Sequence, residues 1–272
     1  MKRKHGFTLV ELLIVIAIIA LLMSILVPAL RMAKDQAMRI TCGNKVKNLV
    51  FSLTMYADNN NYKIPHGSGN WPWDVSWYTT YEMVKYMGMD VSAINPPPGS
   101  PQYYLPLEYS AHFYCPANIQ QKRWRDAFWG YTSSYRVTGY AFLWKASWNN
   151  DGATSIIGLG SNGLQPDSTK KWVDRTDKKH PSDVELITDA ILSKQINDPR
   201  YPYGNFGTIR TASNPAGGLT ADCSSHIVSD AKVAGGNSGF VDNHVDWKPF
   251  AEMKHRFTVT GSGDGLPIFW WW

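Results

Sequence analysis

The chain of 272 residues is short of charge, short of cysteine and without a recognisable catalytic spacing. Asp, Glu, Lys and Arg make up 18% of it, below the roughly 25% of ordinary soluble domains, while 44% is hydrophobic. A disordered polyelectrolyte is therefore excluded, and most of the chain must fold. The formal charge is +5, but Lys2, Arg3 and Lys4 supply three of those charges before the seventh residue. The remainder has no basic block with which to displace counterions, so nucleic acid is not an expected partner. Cys42, Cys115 and Cys223 are too few for a disulfide scaffold and too far apart for a C-x-x-C metal site, so at most one bridge is expected, its pairing open. No H-E-x-x-H, G-x-S-x-G or Walker A spacing surrounds the histidines, and Asp183, Glu185 and Asp189 read as part of a strand over Val184–Thr188 and its solvated flanks rather than as paired carboxylates. The expectation is a protein that is not an enzyme.

What the sequence does have is an almost unbroken apolar run over residues 7–30, behind a basic start. A helix of that length reaches roughly 36 Å at about 1.5 Å per residue, enough for a hydrocarbon core of about 30 Å. A cleaved secretory signal usually has an apolar stretch of only about 7–15 residues, and Val27-Pro28-Ala29 is an imperfect cleavage site. Glu11 breaks the apolar pattern. A carboxylate at mid-bilayer costs around 2.5–3.5 kcal/mol, so it calls for a partner or a function. Cleavage after Gly6 would leave an α-amine on Phe7 able to neutralise Glu11 of a neighbouring copy, which would let one carboxylate set subunit register. Pro28 removes one N–H and crowds the preceding turn, so a kink or local melting is expected there.

Gly6-Phe7-Thr8-Leu9-Val10-Glu11-Leu12-Leu13 resembles the prepilin cleavage and methylation motif of type IV pilins and type II secretion pseudopilins. The resemblance implies a prepilin peptidase that cuts after Gly6 and methylates Phe7, with Glu11 guiding assembly. It also implies a single-pass inner-membrane precursor whose N-terminus is cytoplasmic. The charges do not set that orientation, since Arg31, Lys34, Arg39, Lys45 and Lys47 follow the span as Lys2, Arg3 and Lys4 precede it.

Beyond the span, Leu30, Ala33, Ala37 and Ile40, then Val46, Leu49, Val50, Leu53 and Ala57, recur at helical spacing. One helix is predicted from Phe7 to about Ala57, with Pro28 and Gly43 as weak points and Asn59-Asn60-Asn61 as its end. Cys42 through Leu49, with Tyr56, Asp58, Pro65 and Cys115-Pro116, resembles a segment of bacterial pilin-like proteins that carry a C-terminal H-X9-DG motif. Asn237 to Trp247 resembles their C-terminal segment, with Asn243 in place of the glycine, Lys232 where the histidine is expected, and His226 nearby.

Residues 66–130 are rich in Trp, Tyr, Pro and Gly and read as a loop insertion around a short helix near Tyr81–Met87. From Tyr131 onward, Tyr131–Trp144, Ser155–Leu159, Val184–Thr188, Phe206–Arg210, Ser238–Val241, His244–Trp247 and Arg256–Thr260 read as strands of an antiparallel sheet. The expected fold is α+β. Its parts are a cytoplasmic leader over 1–6, a membrane-spanning or filament-core helix over 7–30, an amphipathic helix over 31–58 and an extracytoplasmic head over 59–272.

Within the head, Asp242, His244 and Asp246 alternate, so on a continuous strand they would share one face and could hold a metal, with calcium the candidate. The favoured reading is instead a hairpin with a two-residue I′ turn at Asp242-Asn243. Trp71, Trp73, Trp77, Trp124, Trp129, Trp144 and Trp148 fall mainly in expected loops. They could form exposed platforms for glycans or other polymers, or they could pack those loops down. The terminal Phe269-Trp270-Trp271-Trp272 could cover a sheet edge, touch lipid or meet another subunit. The expected function is a filament subunit with prepilin peptidase, fellow subunits and an inner-membrane assembly platform as partners. The alternative is a membrane-anchored envelope binding module.

Overall fold

The computed structural model describes residues 8–65, 73–92, 94, 105–118, 125, 128–130, 135–144, 165–166, 173–194, 206–207, 210–213, 219–222, 224–229, 231–259 and 268–272. The apolar run and the amphipathic segment join in one helix, α1, Leu9–Asp58. Thr8 caps its start, accepting from the Glu11 N–H, while the Glu11 carboxylate accepts from the Thr8 N–H at 2.9 Å. This reciprocal box satisfies donors that a helix end leaves open. The helix continues unbroken through Pro28 and Gly43, so neither melts it. Asn59 and Asn60 follow its last turn and donate back to the Met55 and Tyr56 carbonyls.

The α2 helix is Trp77–Tyr86. The strands are β1 (Asp74–Ser76), β2 (Tyr135–Val137), β3 (Tyr140–Phe142), β4 (Gln165–Pro166), β5 (Glu185–Asp189), β6 (Ile191–Lys194) and β7 (Arg210–Ser213). They continue as β8 (Leu219–Asp222), β9 (Ile227–Ser229), β10 (Lys232–Val233), β11 (Gly235–Phe240), β12 (Val245–Pro249), β13 (His255–Val259) and β14 (Ile268–Trp271). One antiparallel sheet has the order β12-β11-β5-β3 and another β4-β13-β14-β6. The expected α+β class is the observed one. Ala190 alone separates β5 from β6, so the chain crosses between the two sheets at that point. The expected strand over Tyr131–Trp144 is two strands, interrupted at Thr138-Gly139, while Ser155–Leu159 lies outside the described residues.

The head closes around one face of α1. Cys42, Val46, Leu49, Val50, Leu53 and Ala57 are all fully buried, the spacing of a single helical stripe. Burying a Leu or Val side chain is worth about 1.5–3 kcal/mol, so this stripe fixes the helix on the sheet. Leu30 and Ile40, by contrast, are 65% and 56% exposed. The periodic pattern is continuous from Leu30, but full burial begins at Cys42 and the head's contacts reach back only to Arg39, whose guanidinium lies 4.6 Å over the Trp247 ring, so the first turns of the amphipathic segment stay uncovered. The helix meets β11, whose sequence is Gly235-Gly236-Asn237-Ser238-Gly239-Phe240, at Gly239, where the missing side chain leaves room for Val46 and Val50.

The described part of residues 66–130 is not surface loop alone. Trp73, Val75, Met83, Val84, Leu105, Phe113 and Trp129 belong to the main core cluster. Trp144 joins them, so Trp73, Trp129 and Trp144 form no exposed platform. Trp77 is half-buried, and Trp71, Trp124 and Trp148 lie outside the described residues. The terminal aromatic run is an internal strand, since β14 lies between β13 and β6. Trp271 Nε1 donates to Ser193 Oγ, and Trp272 is buried.

Candidate functional site

The first site is the N-terminal part of α1. Gly6 and Phe7 lie outside the described residues. Glu11 stands free of the head, its described contacts confined to Thr8, whose hydroxyl also donates to it at 2.8 Å. From Leu9 to Ala37 every residue is exposed, including Leu9, Leu12, Leu13, Ile16, Leu21 and Ile25. A helix this apolar on all sides has no folded solution in water unless lipid or other helices cover it. It is long and apolar enough to cross a membrane. Pro28 sits within this uncovered stretch.

The second candidate, around Asp242, is a hairpin. β11 and β12 pair antiparallel, the Asn243 N–H donates to the Phe240 carbonyl, and the Phe240 N–H donates to that of His244. Of the turn residues only Asn243 has a positive φ, 70°. A I′ turn needs φ > 0 at both central residues, so the expected two-residue turn is replaced by a three-residue loop that ends in a left-handed Asn. Thr54 on α1 donates to Asn243 Oδ1 at 3.3 Å, tying the loop to the helix.

The same turn separates the three expected metal ligands. Asp242 faces His244 Nδ1, whereas Asp246 lies 3.5 Å from Nε2. The carboxylates sit at opposite nitrogens of one ring, so Asp242, His244 and Asp246 do not converge on a shared point. Burial acts upward on the Asp242 carboxyl, but hydrogen bonds from the His244 side chain and backbone outweigh it and hold it below the ordinary aspartate range.

A third constellation was not legible in the sequence. Cys42 on α1, Cys115 after the 3-10 turn Leu107–Phe113, Asp189 at the end of β5 and His226 before β9 meet inside the head. Their ligand atoms all lie within 4.8 Å of one another, and all four residues are buried. Cys42 and Cys115 form a disulfide across 73 residues of chain. Closing a loop of that size stabilises by about 4 kcal/mol in the chain-entropy account. His226 Nε2 is 3.1 Å from Asp189 Oδ2 and 3.4 Å from Cys115 Sγ. Asn237 clamps the carboxylate, donating to Oδ2 from its backbone at 2.7 Å and its side chain at 2.8 Å. Tyr140 lies against Cys42, and its hydroxyl is pushed well above the ordinary tyrosine range by burial and then by the Asp189 charge. The four residues come from four separate segments, so no local spacing announces them. Cys223, the remaining cysteine, lies outside the described residues.

Over residues 1–27 the chain matches the family model described as the prokaryotic N-terminal methylation motif. It is also 44% identical over 63 residues to the type IV wide pilus major component PilA4 of Thermus thermophilus, a stretch covering 23% of this chain and 48% of that protein. The chain thus spans about half the length of the curated relative it matches. No solved structure matches it.

Proposed function

Since the N-terminal segment of this chain is type IV pilin-like, we propose that the protein is a structural subunit, held in the membrane by α1 and assembled through it into a type IV pilus-like or type II secretion filament. The observation that carries the reading is the uncovered apolar half of α1 behind the methylation motif. In this reading a prepilin peptidase on the cytoplasmic side cuts after Gly6 and methylates Phe7, and residues 59–272 fold on the other face of the membrane. The α1 helix then leaves lipid for a bundle of like helices, where the Phe7 amine of one copy meets Glu11 of the next. A bend at Pro28 would let neighbouring helices pass. Partners are fellow subunits and the inner-membrane assembly platform.

The matched stretch is nearly half of the relative and under a quarter of this chain, so most of the head is additional to what the two share. An enlarged head suits a minor or cargo-contacting position, where it does not have to pack at every step of the filament. The described Trp73, Trp129 and Trp144 side chains are committed to the core, which leaves the envelope binding module without its aromatic platform at those positions.

Intact-mass and N-terminal analysis of membrane-extracted protein, with and without the peptidase, tests the reading. A chain starting at N-methylated Phe7 supports it. A chain that keeps Met1 in the presence of the peptidase, or starts at Leu30, sinks it.

A further inference from the structure

We propose that Cys42, Cys115, Asp189 and His226 are the four ligands of a buried site for a zinc-class divalent cation, held when the two cysteines are reduced and excluded when they are joined. The donor set is two sulfurs, one imidazole nitrogen and one carboxylate oxygen. Two thiolates select a borderline-soft cation over calcium or magnesium, which take oxygen. Zinc binds such ligands tetrahedrally at about 2.0–2.3 Å, which places ligand atoms about 3.3–3.8 Å apart. Cys42 Sγ lies 3.2 Å from Asp189 Oδ1, and Cys115 Sγ lies 3.4 Å from His226 Nε2. Two cross-edges of the cluster thus already stand near that spacing.

Asp189 supplies the strongest argument. Its carboxylate is fully buried, and its described ion pair is with His226 alone. Asn237 and His226 fill Oδ2, while Oδ1 is aimed at Cys42 Sγ. A disulfide sulfur has no hydrogen to donate, so in the oxidised chain that oxygen faces lone pairs. With a cation between them, the oxygen and sulfur become ligands rather than opposed acceptors, and the buried negative charge gains its counter-ion. Asn237 then fills the role of an outer partner that fixes the orientation of a ligand.

The backbone at His226 agrees. Its φ is 52°, unusual for a residue with a Cβ, and it is held there by the Ala234 N–H donating to its carbonyl and by the Ser225 N–H donating to Ala190. Its ring meets Trp247 edge to face at 4.9 Å, which fixes the direction of Nε2 into the cluster.

Opening the Cys42–Cys115 bond takes two electrons and two protons from a dithiol reductant, which leaves as its own disulfide. The two thiols then release their protons to solvent as the two metal–sulfur bonds form, and the neutral His226 ring exchanges its proton from Nε2 to Nδ1, which frees the Nε2 lone pair for the cation in place of its hydrogen bond to Asp189. The proposal does not depend on how the N-terminus is processed, so its failure leaves the filament reading untouched.

The test uses the full-length chain in detergent micelles, as the disulfide form and after reduction with excess dithiol removed by anaerobic gel filtration. Both forms are titrated with Zn2+ and with Co2+. The expected result is one equivalent of zinc in the reduced chain, a thiolate-to-cobalt charge-transfer band, thiols protected from alkylation, and no uptake by the disulfide form. His226→Gln is expected to weaken binding at least tenfold with the circular dichroism spectrum unchanged. If that variant does not fold, the wild-type comparison alone decides. A reduced, folded chain that takes up no metal, binds cobalt without a thiolate band, or binds no better than the disulfide form overturns the proposal.

Discussion

Gly239 on β11 occupies ground that belongs to α1: a Cβ there would lie 2.7 Å from both Val46 Cγ1 and Val50 Cγ2. The helix and the strand touch backbone to side chain, and any added atom must push them apart. Overpacking of this kind costs about 1–3 kcal/mol. Gly239→Ala is expected to lower Tm accordingly. Combining it with Val46→Ala is expected to recover part of the loss, because the truncated side chain vacates the contested volume. Melting of the two single variants and the double variant, read as a thermodynamic cycle, checks this.

Glu11→Ala separates folding from assembly. Glu11 touches only Thr8 among the described residues and lies far from the packed face of α1. Head stability is expected to change by less than about 0.5 kcal/mol, as for other exposed positions. Incorporation into filaments is expected to collapse. Thermal melting of the extracted protein and sedimentation of sheared filaments read the two effects independently, and normal incorporation of the variant counts against the filament reading.

The terminal strand is structural. β14 pairs with β13 on one side and β6 on the other, and the backbones of Trp272 and Lys254 exchange two hydrogen bonds. Removing residues 268–272 is expected to abolish cooperative melting of the head. Trp272→Ala alone, vacating a site that is 4% exposed, is expected to cost about 3–5 kcal/mol. A truncated head that melts as sharply as the intact one excludes this role.

Acid is expected to destabilise the region where α1 meets the 3-10 turn. Lys45 Nζ donates to the carbonyls of Ala111 and Tyr114, and burial followed by the Arg125 charge holds its ammonium below the ordinary lysine range. His112 beside it is lowered from 6.5, by burial first and by the Lys45 charge second. A lowered folded value means the unfolded chain binds the proton more tightly. The contribution is therefore complete above 6.5 and is lost as pH falls through the folded value. Tm measured at descending pH is expected to fall in that window, and His112→Asn is expected to flatten the slope there.

The length of α1 was legible because an unbroken apolar run and a 3.6-residue stripe are local signals. Where burial begins was not: the stripe starts at Leu30 in sequence, but full burial starts at Cys42, and that depends on how far the folded sheet extends. The hairpin at Asp242-Asn243 was readable from its turn residues. The turn type was not, since Asp242 keeps a negative φ and only Asn243 crosses over. Trp73 and Trp129 sit in a segment whose Pro and Gly content signals loops, and Trp144 ends an expected strand, but composition does not say which way a ring points. The aromatic C-terminus is too short a run for periodicity to decide, and its three-strand pairing is purely tertiary. The buried Cys, Asp and His cluster is the extreme case, assembled from positions 42, 115, 189 and 226.

On the proposed filament reading, load runs along the filament's length and α1 is the rod that would carry it. At about 1.5 Å per residue its 50 residues span about 75 Å. Tension arriving down that rod passes the contact of Arg39 with Trp247 and reaches the first fully buried residue at Cys42, which is joined there to Cys115. A pull on the spanning half is therefore met at the threshold by a covalent link, not by peeling Val46, Leu49, Val50 and Leu53 off the sheet one at a time. Severing that link is expected to turn a head that yields all at once into one that unzips.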